Sequence, residues 1–184
     1  MELNVNASIA AHRRAIDAVE GIAPAIVAVA QLLKKTFHAD GRVFACGNGG
    51  SAADAQHFAS ELTGRYEKDR RAYPAIALTT DASALTAIGN DYGYARVFAR
   101  QLEALARAGD VLIAISTSGN SANVVEAVEY ARRHKITTVG LLGRDGGKLL
   151  PRVDHALVIP ATGTGRIQEA HILILHLLCE AFEE

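Results

Sequence analysis

The chain has 184 residues, 49% of them apolar and 21% charged, and its 19 Lys and Arg nearly balance 20 Asp and Glu for a formal net charge of −1. That length suits one domain with a sizeable core. No run of basic residues exceeds two, which argues against a nucleic-acid partner held by phosphate charge.

The chain opens with helical periodicity. A weak helix is expected from about Ala7 to Val19, and a stronger one follows, with Ile22, Ile26, Val29, Leu33 and Phe37 in steps of three and four. Two helices are more than one layer of a small sheet needs. The stripe on the second either caps the sheet or faces another subunit; on the latter reading the first 40 residues serve oligomerisation.

Residues 41–184 alternate strands with helices. Arg42–Cys46 reads as a buried strand, followed by a glycine turn and a helix to about Arg65. Pro74–Thr80 reads as a second strand, with helices near Ala82–Ile88 and Ala95–Arg107. Val111–Ile115 is the clearest strand, and a helix is expected over Ala122–His134. Thr137–Leu142 and His155–Ile159 complete five strands, before a closing helix from about Gly165 to Glu183. This order predicts an α/β fold: a three-layer αβα sandwich of flavodoxin-like type around a five-stranded parallel sheet.

Cys46 and Cys179 lie in apolar surroundings and read as buried inert thiols rather than a disulfide framework. No apolar run approaches the ~20 residues that span a bilayer. Met1–Asn6 lacks a signal-peptide pattern. A cytoplasmic protein with no membrane partner is expected.

Two loops each follow an apolar strand and open a helix: Gly47–Ser51 and Ser116–Ser121. Ligands of open α/β sheets sit beyond the strand carboxyl ends, where helix N-termini favour phosphate. Ser116, Thr117, Ser118 and Ser121 add hydroxyl donors that match phosphate oxygens without adding charge. The same residue types also serve ordinary turns and caps. A P-loop is absent. Gly47, Gly49 and Ala52 fit a permissive dinucleotide fingerprint with Asp81 as the ribose acid. Asp81, however, stands well beyond the roughly 20 residues that pattern uses.

His57 and Glu61 are one helical turn apart and project together. Glu61 also precedes Arg65 by four residues, so a surface ion pair explains it equally. On the closing helix, Gln168 and His176 lie two turns apart, at about 80° in azimuth, and can share a broad face. If the two helices meet, two imidazoles, a carboxylate and an amide oxygen gather in a set that suits zinc, although an amide ligand is unusual. His171 competes with His176, and spacing does not choose between them.

These stretches, together with Asp54-Ala55-Gln56-His57, Leu78-Thr79-Thr80-Asp81, the Ala87–Tyr94 segment containing Asn90-Asp91, Gly109–Leu112 and Ile167-Gln168-Glu169, resemble the sugar isomerase (SIS) domain family nearly end to end, and most closely its phosphoheptose isomerases. The resemblance implies that Ser116, Thr117, Ser118 and Ser121 hold the phosphate. Asn48, Gly49, Gly50, Asn90 and Asp91 would line the sugar, and Ser51, Asp54, Glu61 and Gln168 would also contact substrate. His57, Glu61, Gln168 and His176 would hold one zinc ion per subunit, with Glu61 and His176 as proton carriers. It further implies a homotetramer with active sites at subunit interfaces, acting on sedoheptulose 7-phosphate in bacterial heptose synthesis. A carboxylate bound to zinc is a poorer base, so either Glu61 shifts during turnover or the ion is mainly positional. Some members carry an acid shortly before the Ile-Gln-Glu stretch; Ala161–Arg166 has none here. Two rival readings remain: a non-catalytic SIS-domain partner of a replication initiator, and an isomerase of another phosphosugar such as arabinose 5-phosphate.

Overall fold

The computed structural model describes residues 3–183. Met1 and Glu2, at the head of the Met1–Asn6 stretch, and Glu184 lie outside the described residues. Helices α1 (Val5–Gly21) and α2 (Ala23–His38) precede β1 (Val43–Cys46), α3 (Gly50–Thr63) and β2 (Ala75–Ala77). Then come α4 (Ala82–Tyr92), α5 (Ala99–Leu105), β3 (Val111–Ser116), α6 (Ala122–Arg133), β4 (Thr137–Gly143), β5 (His155–Ile159) and α7 (Thr164–Glu180). All pairings are parallel, in the order β2-β1-β3-β4-β5.

Alternation along each strand divides the core in two. Val111, Ile113 and Ile115 of β3 join one apolar cluster with Ile26 and Leu33 of α2, Phe58 of α3 and Ile174 of α7. Leu112 and Ala114, on the opposite face, join Leu102 of α5 and Val124 and Val128 of α6. Helices thus cover both faces, as a sheet whose central strand is buried throughout requires.

The α2 stripe packs on this chain's own sheet. Ile26, Val29, Leu33 and Phe37 are buried in this chain's own core, because α1 and α2 complete the layer beside α7 that α3 alone leaves open. The outward side of α2 carries the exposed Val27 instead. The helix expected over Ala95–Arg107 is broken into a 3₁₀ turn at Tyr94–Arg96 and α5. A second 3₁₀ segment, Gly147–Arg152, was not legible, since its Pro151 and paired glycines read as plain loop. Asp81 is spent on helix capping: its Oδ1 accepts from Ala84 N at 2.9 Å, which removes the acid from the dinucleotide reading.

Candidate active site

β1 and β3 are neighbours in the sheet, so the loops that leave them lie side by side at its carboxyl edge. Gly49, at φ +56°, precedes the first turn of α3 and offers no side-chain cap. Such a φ favours glycine. Gly119 sits at φ +63°, and a Cβ there would lie 2.0 Å from the Gly146 carbonyl oxygen. Two helix N-termini are therefore presented together at one end of the sheet, where an anion is favoured.

The hydroxyls of the second loop are gathered. Ser116 Oγ lies 3.1 Å from Ser121 Oγ, and Ser118 Oγ accepts from Asn120 N at 3.1 Å. The turn is braced from outside, because Lys148 N donates to Asn120 Oδ1 at 3.1 Å and Leu149 N donates to Gly119 O at 3.0 Å. Thr117 and Ser118 are half-buried, and Ser116 is buried. Ser51 is buried against Gly47. The first loop is tied across to α6: Asn48 and the buried Asn123 exchange amide hydrogen bonds of 2.8 Å in both directions. Tyr94 Oη donates to Asn48 Oδ1 at 3.1 Å. Asn90 and Asp91 stand exposed at the end of α4, with Asn90 Nδ2 donating to Asp91 Oδ1 at 2.7 Å.

α3 packs along α7, and this contact brings together three of the four expected metal ligands. His57 Nε2 lies 3.0 Å from His176 Nε2 and 3.5 Å from Glu61 Oε1. Tyr66 flanks His176, ring to ring, at 5.5 Å. Gln168 borders the glycine loop: a Cβ on Gly50 would come within 2.3 Å of its Nε2. Gly50 precedes His57 by two helical turns, about 10 Å. Among the described residues no group of three or more His, Cys, Asp or Glu is arranged to hold an ion as it stands. The donor chemistry nevertheless fits zinc. Adjacent ligands of a tetrahedral zinc at its usual bond lengths are about 3.3 Å apart, and the 3.0 and 3.5 Å separations around His57 Nε2 bracket that edge.

Asp54, one turn before His57 on α3, has an Oδ2 that is buried without a partner. Burial raises its pKa to about 6, against the opposing pull of His57. His171 is excluded from the site. It is fully buried against the Leu142 carbonyl, and burial lowers its pKa to about 4, so it stays neutral at pH 7. Cys46 and Cys179 are buried thiols with pKa values pushed up to about 12, inert as expected.

Two residues escaped the sequence reading. Asn123 looked like one more polar residue after the serine loop. Arg70 sits in the charged run Glu67–Arg71, which reads as solvated surface. Its side chain is only 6% exposed, and Nε lies 3.5 Å from Glu183 Oε1. Arg70 Nη2 donates to the Glu61 carbonyl at 2.6 Å and Nη1 to that of Leu62 at 3.0 Å. Arg70 therefore caps the end of α3 that carries Glu61.

With this geometry in hand, the relatives are informative. The SIS domain family matches residues 9–143. The phosphoheptose isomerase of Helicobacter pylori is 55% identical over 174 residues, covering 94% of this chain and 91% of its own. The structure of the Neisseria gonorrhoeae phosphoheptose isomerase superposes with a TM-score of 0.92 at 50% identity, covering 97% of this chain and 96% of that one. The Francisella tularensis phosphoheptose isomerase superposes with a TM-score of 0.93 at 38% identity over the same shares. The chain belongs to the SIS domain family and, within it, to the phosphoheptose isomerases.

Proposed function

We propose that this protein interconverts sedoheptulose 7-phosphate and D-glycero-D-manno-heptose 7-phosphate, feeding bacterial heptose synthesis in the cytoplasm. One observation carries the reading: an imidazole pair and a carboxylate meet on α3 and α7 in a chain that shares more than half its residues with a phosphoheptose isomerase. Ser116, Thr117, Ser118 and Ser121 hold the phosphate. Asn48, Gly49, Gly50, Asn90 and Asp91 line the sugar, with Ser51 and Asp54 behind them.

Ketose–aldose isomerisation moves one proton between adjacent carbons through an enediol. Glu61 accepts the C1 proton of the ketose and returns it to C2. His176 donates a proton to the C2 oxygen as the enediol forms and takes one from the C1 hydroxyl as it collapses. Acid and base end as they began. Arg70 fixes the backbone from which Glu61 projects. His57, Glu61 and His176 would hold a zinc ion, which supplies positive charge to polarise the carbonyl and hydroxyl oxygens.

Gln168, whose amide lies over Gly50, would be the fourth ligand. The protein assembles as a homotetramer with active sites at subunit interfaces. A groove of about 610 Å³ between α1, α2 and α7, lined by Ala23, Val27, Ala30 and Leu177, is the kind of apolar surface that assembly covers.

Incubating the protein with sedoheptulose 7-phosphate and following the aldose by NMR tests the reaction. The expected result is conversion to an equilibrium mixture, faster than for arabinose 5-phosphate under the same conditions. No conversion by zinc-loaded protein would rule the reading out.

A further inference from the structure

Asn123 is 3% exposed on the first turn of α6, and a buried carboxamide needs partners for every polar atom it hides. The backbone settles which way it faces. Val124 N donates to Asn123 Oδ1 at 3.0 Å, and an N–H can meet only an acceptor, so that atom is the oxygen. Asn123 Nδ2 is then the donor that reaches Asn48 Oδ1 at 2.8 Å, while Asn48 Nδ2 donates back to Asn123 Oδ1 at 2.8 Å. The Tyr94 hydroxyl adds a second donor to Asn48 Oδ1 at 3.1 Å. Both lone pairs of that oxygen are now occupied. One N–H of Asn48 is spent on Asn123, and the other is left for a ligand.

We infer that Asn123 and Tyr94 are positioning residues that fix Asn48 as a hydrogen-bond donor toward an acceptor oxygen of the sugar. The inference rests on the reading that Asn48 lines the sugar. It adds a role for two residues that touch Asn48 rather than substrate. The pair also ties the glycine loop after β1 to the helix that leaves the serine loop after β3, which fixes the span between sugar and phosphate subsites. Tyr94 lies two residues beyond α4, whose last turn carries Asn90 and Asp91. Its hydroxyl ties that segment to the glycine loop, and α4 buries no residue of its own among those described.

Asn123→Asp keeps the shape and both acceptor contacts but removes the donor to Asn48 Oδ1, leaving two oxygens face to face. Asn48 must then turn away. The expected result is a kcat lowered on the order of 10- to 100-fold, since misplacing one orienting group costs that much. Inhibition by inorganic phosphate, which needs only the serine loop, should stay within about twofold of the parent protein. A merely structural lesion would weaken both together. An N123D variant with parental kcat and KM would overturn the inference. If that variant does not fold, Tyr94→Phe carries the test, because Tyr94 is exposed. Loss of one hydrogen bond predicts a kcat about fivefold lower with phosphate inhibition unchanged, and a parental kcat in Y94F would overturn the inference. Failure of the parent protein to isomerise the sugar phosphate would instead sink the proposed function, so the two failures are distinguishable.

Discussion

The two halves of the site are finished to different degrees within a single chain. At the strand carboxyl ends, the loops are locked by contacts that all come from this polypeptide. Asn48 is paired with Asn123, Ser116 with Ser121, and Gly119 is pressed against Gly146. On the α3–α7 seam, His57 and His176 meet at 3.0 Å, yet His57 remains 45% exposed as a side chain, and the Gln168 amide lies over Gly50. Binding of the phosphate can be built from one chain, because backbone amides and hydroxyls need only a fixed loop. On the proposed function, the proton-transfer end takes groups from two helices, a bound ion and a second copy.

That contrast can be broken or sharpened experimentally. The largest effect is expected from His176→Gln, which removes an acid–base group and a metal ligand. Turnover should fall on the order of 10²- to 10⁴-fold, with stoichiometric zinc lost by elemental analysis. Retained zinc with full activity would detach α7 from the chemistry. Arg70→Ala comes next. It uncaps the end of α3 and should lower kcat about tenfold through Glu61 while KM changes little; steady-state kinetics read the split. Ser118→Ala should act on the finished half alone, raising KM several-fold for one lost hydrogen bond worth about 1 kcal/mol and leaving kcat nearly unchanged. An unchanged KM would remove the phosphate from that loop.

The smallest effect concerns Asp54. Its pKa is raised in the folded protein from the usual 3.8 to about 6, so the folded state holds the proton more tightly than the unfolded one. Stability from this group is present below about pH 4 and lost as pH rises through about 6. Asp54→Asn should therefore stabilise the metal-free protein at pH 8 and not at pH 4. With much of the side chain in contact with water, the gain is about 1 kcal/mol, or roughly 2–4 °C in Tm. Equal melting shifts at both pH values would contradict the assignment.

Much of this was legible in the sequence where local chemistry decides the outcome. The continuous apolar run of β3 and the turn residues at Gly49 and Gly119 foretold both loops, and β5 came out with its expected bounds. The α2 stripe was visible as a stripe, but its partner was not. Periodicity reports that a face is buried, not against what. His171 and His176 could not be separated by spacing, since burial distinguishes them and burial is a property of the assembled layers. Arg70 and Asn123 were hidden for the same reason. Each is polar, each is unremarkable in its local run, and each acquires its role from a partner distant in the chain.

The central claim is that the carboxylate held one turn from His57 moves the proton. It is tested most directly by Glu61→Gln, measured two ways on the same preparation: isomerisation of sedoheptulose 7-phosphate by NMR, and binding of that sugar phosphate by calorimetry. The account predicts turnover reduced by about 10³-fold or more, with the dissociation constant within roughly threefold of the parent protein. Isomerisation at the parental rate, with binding intact, would contradict it.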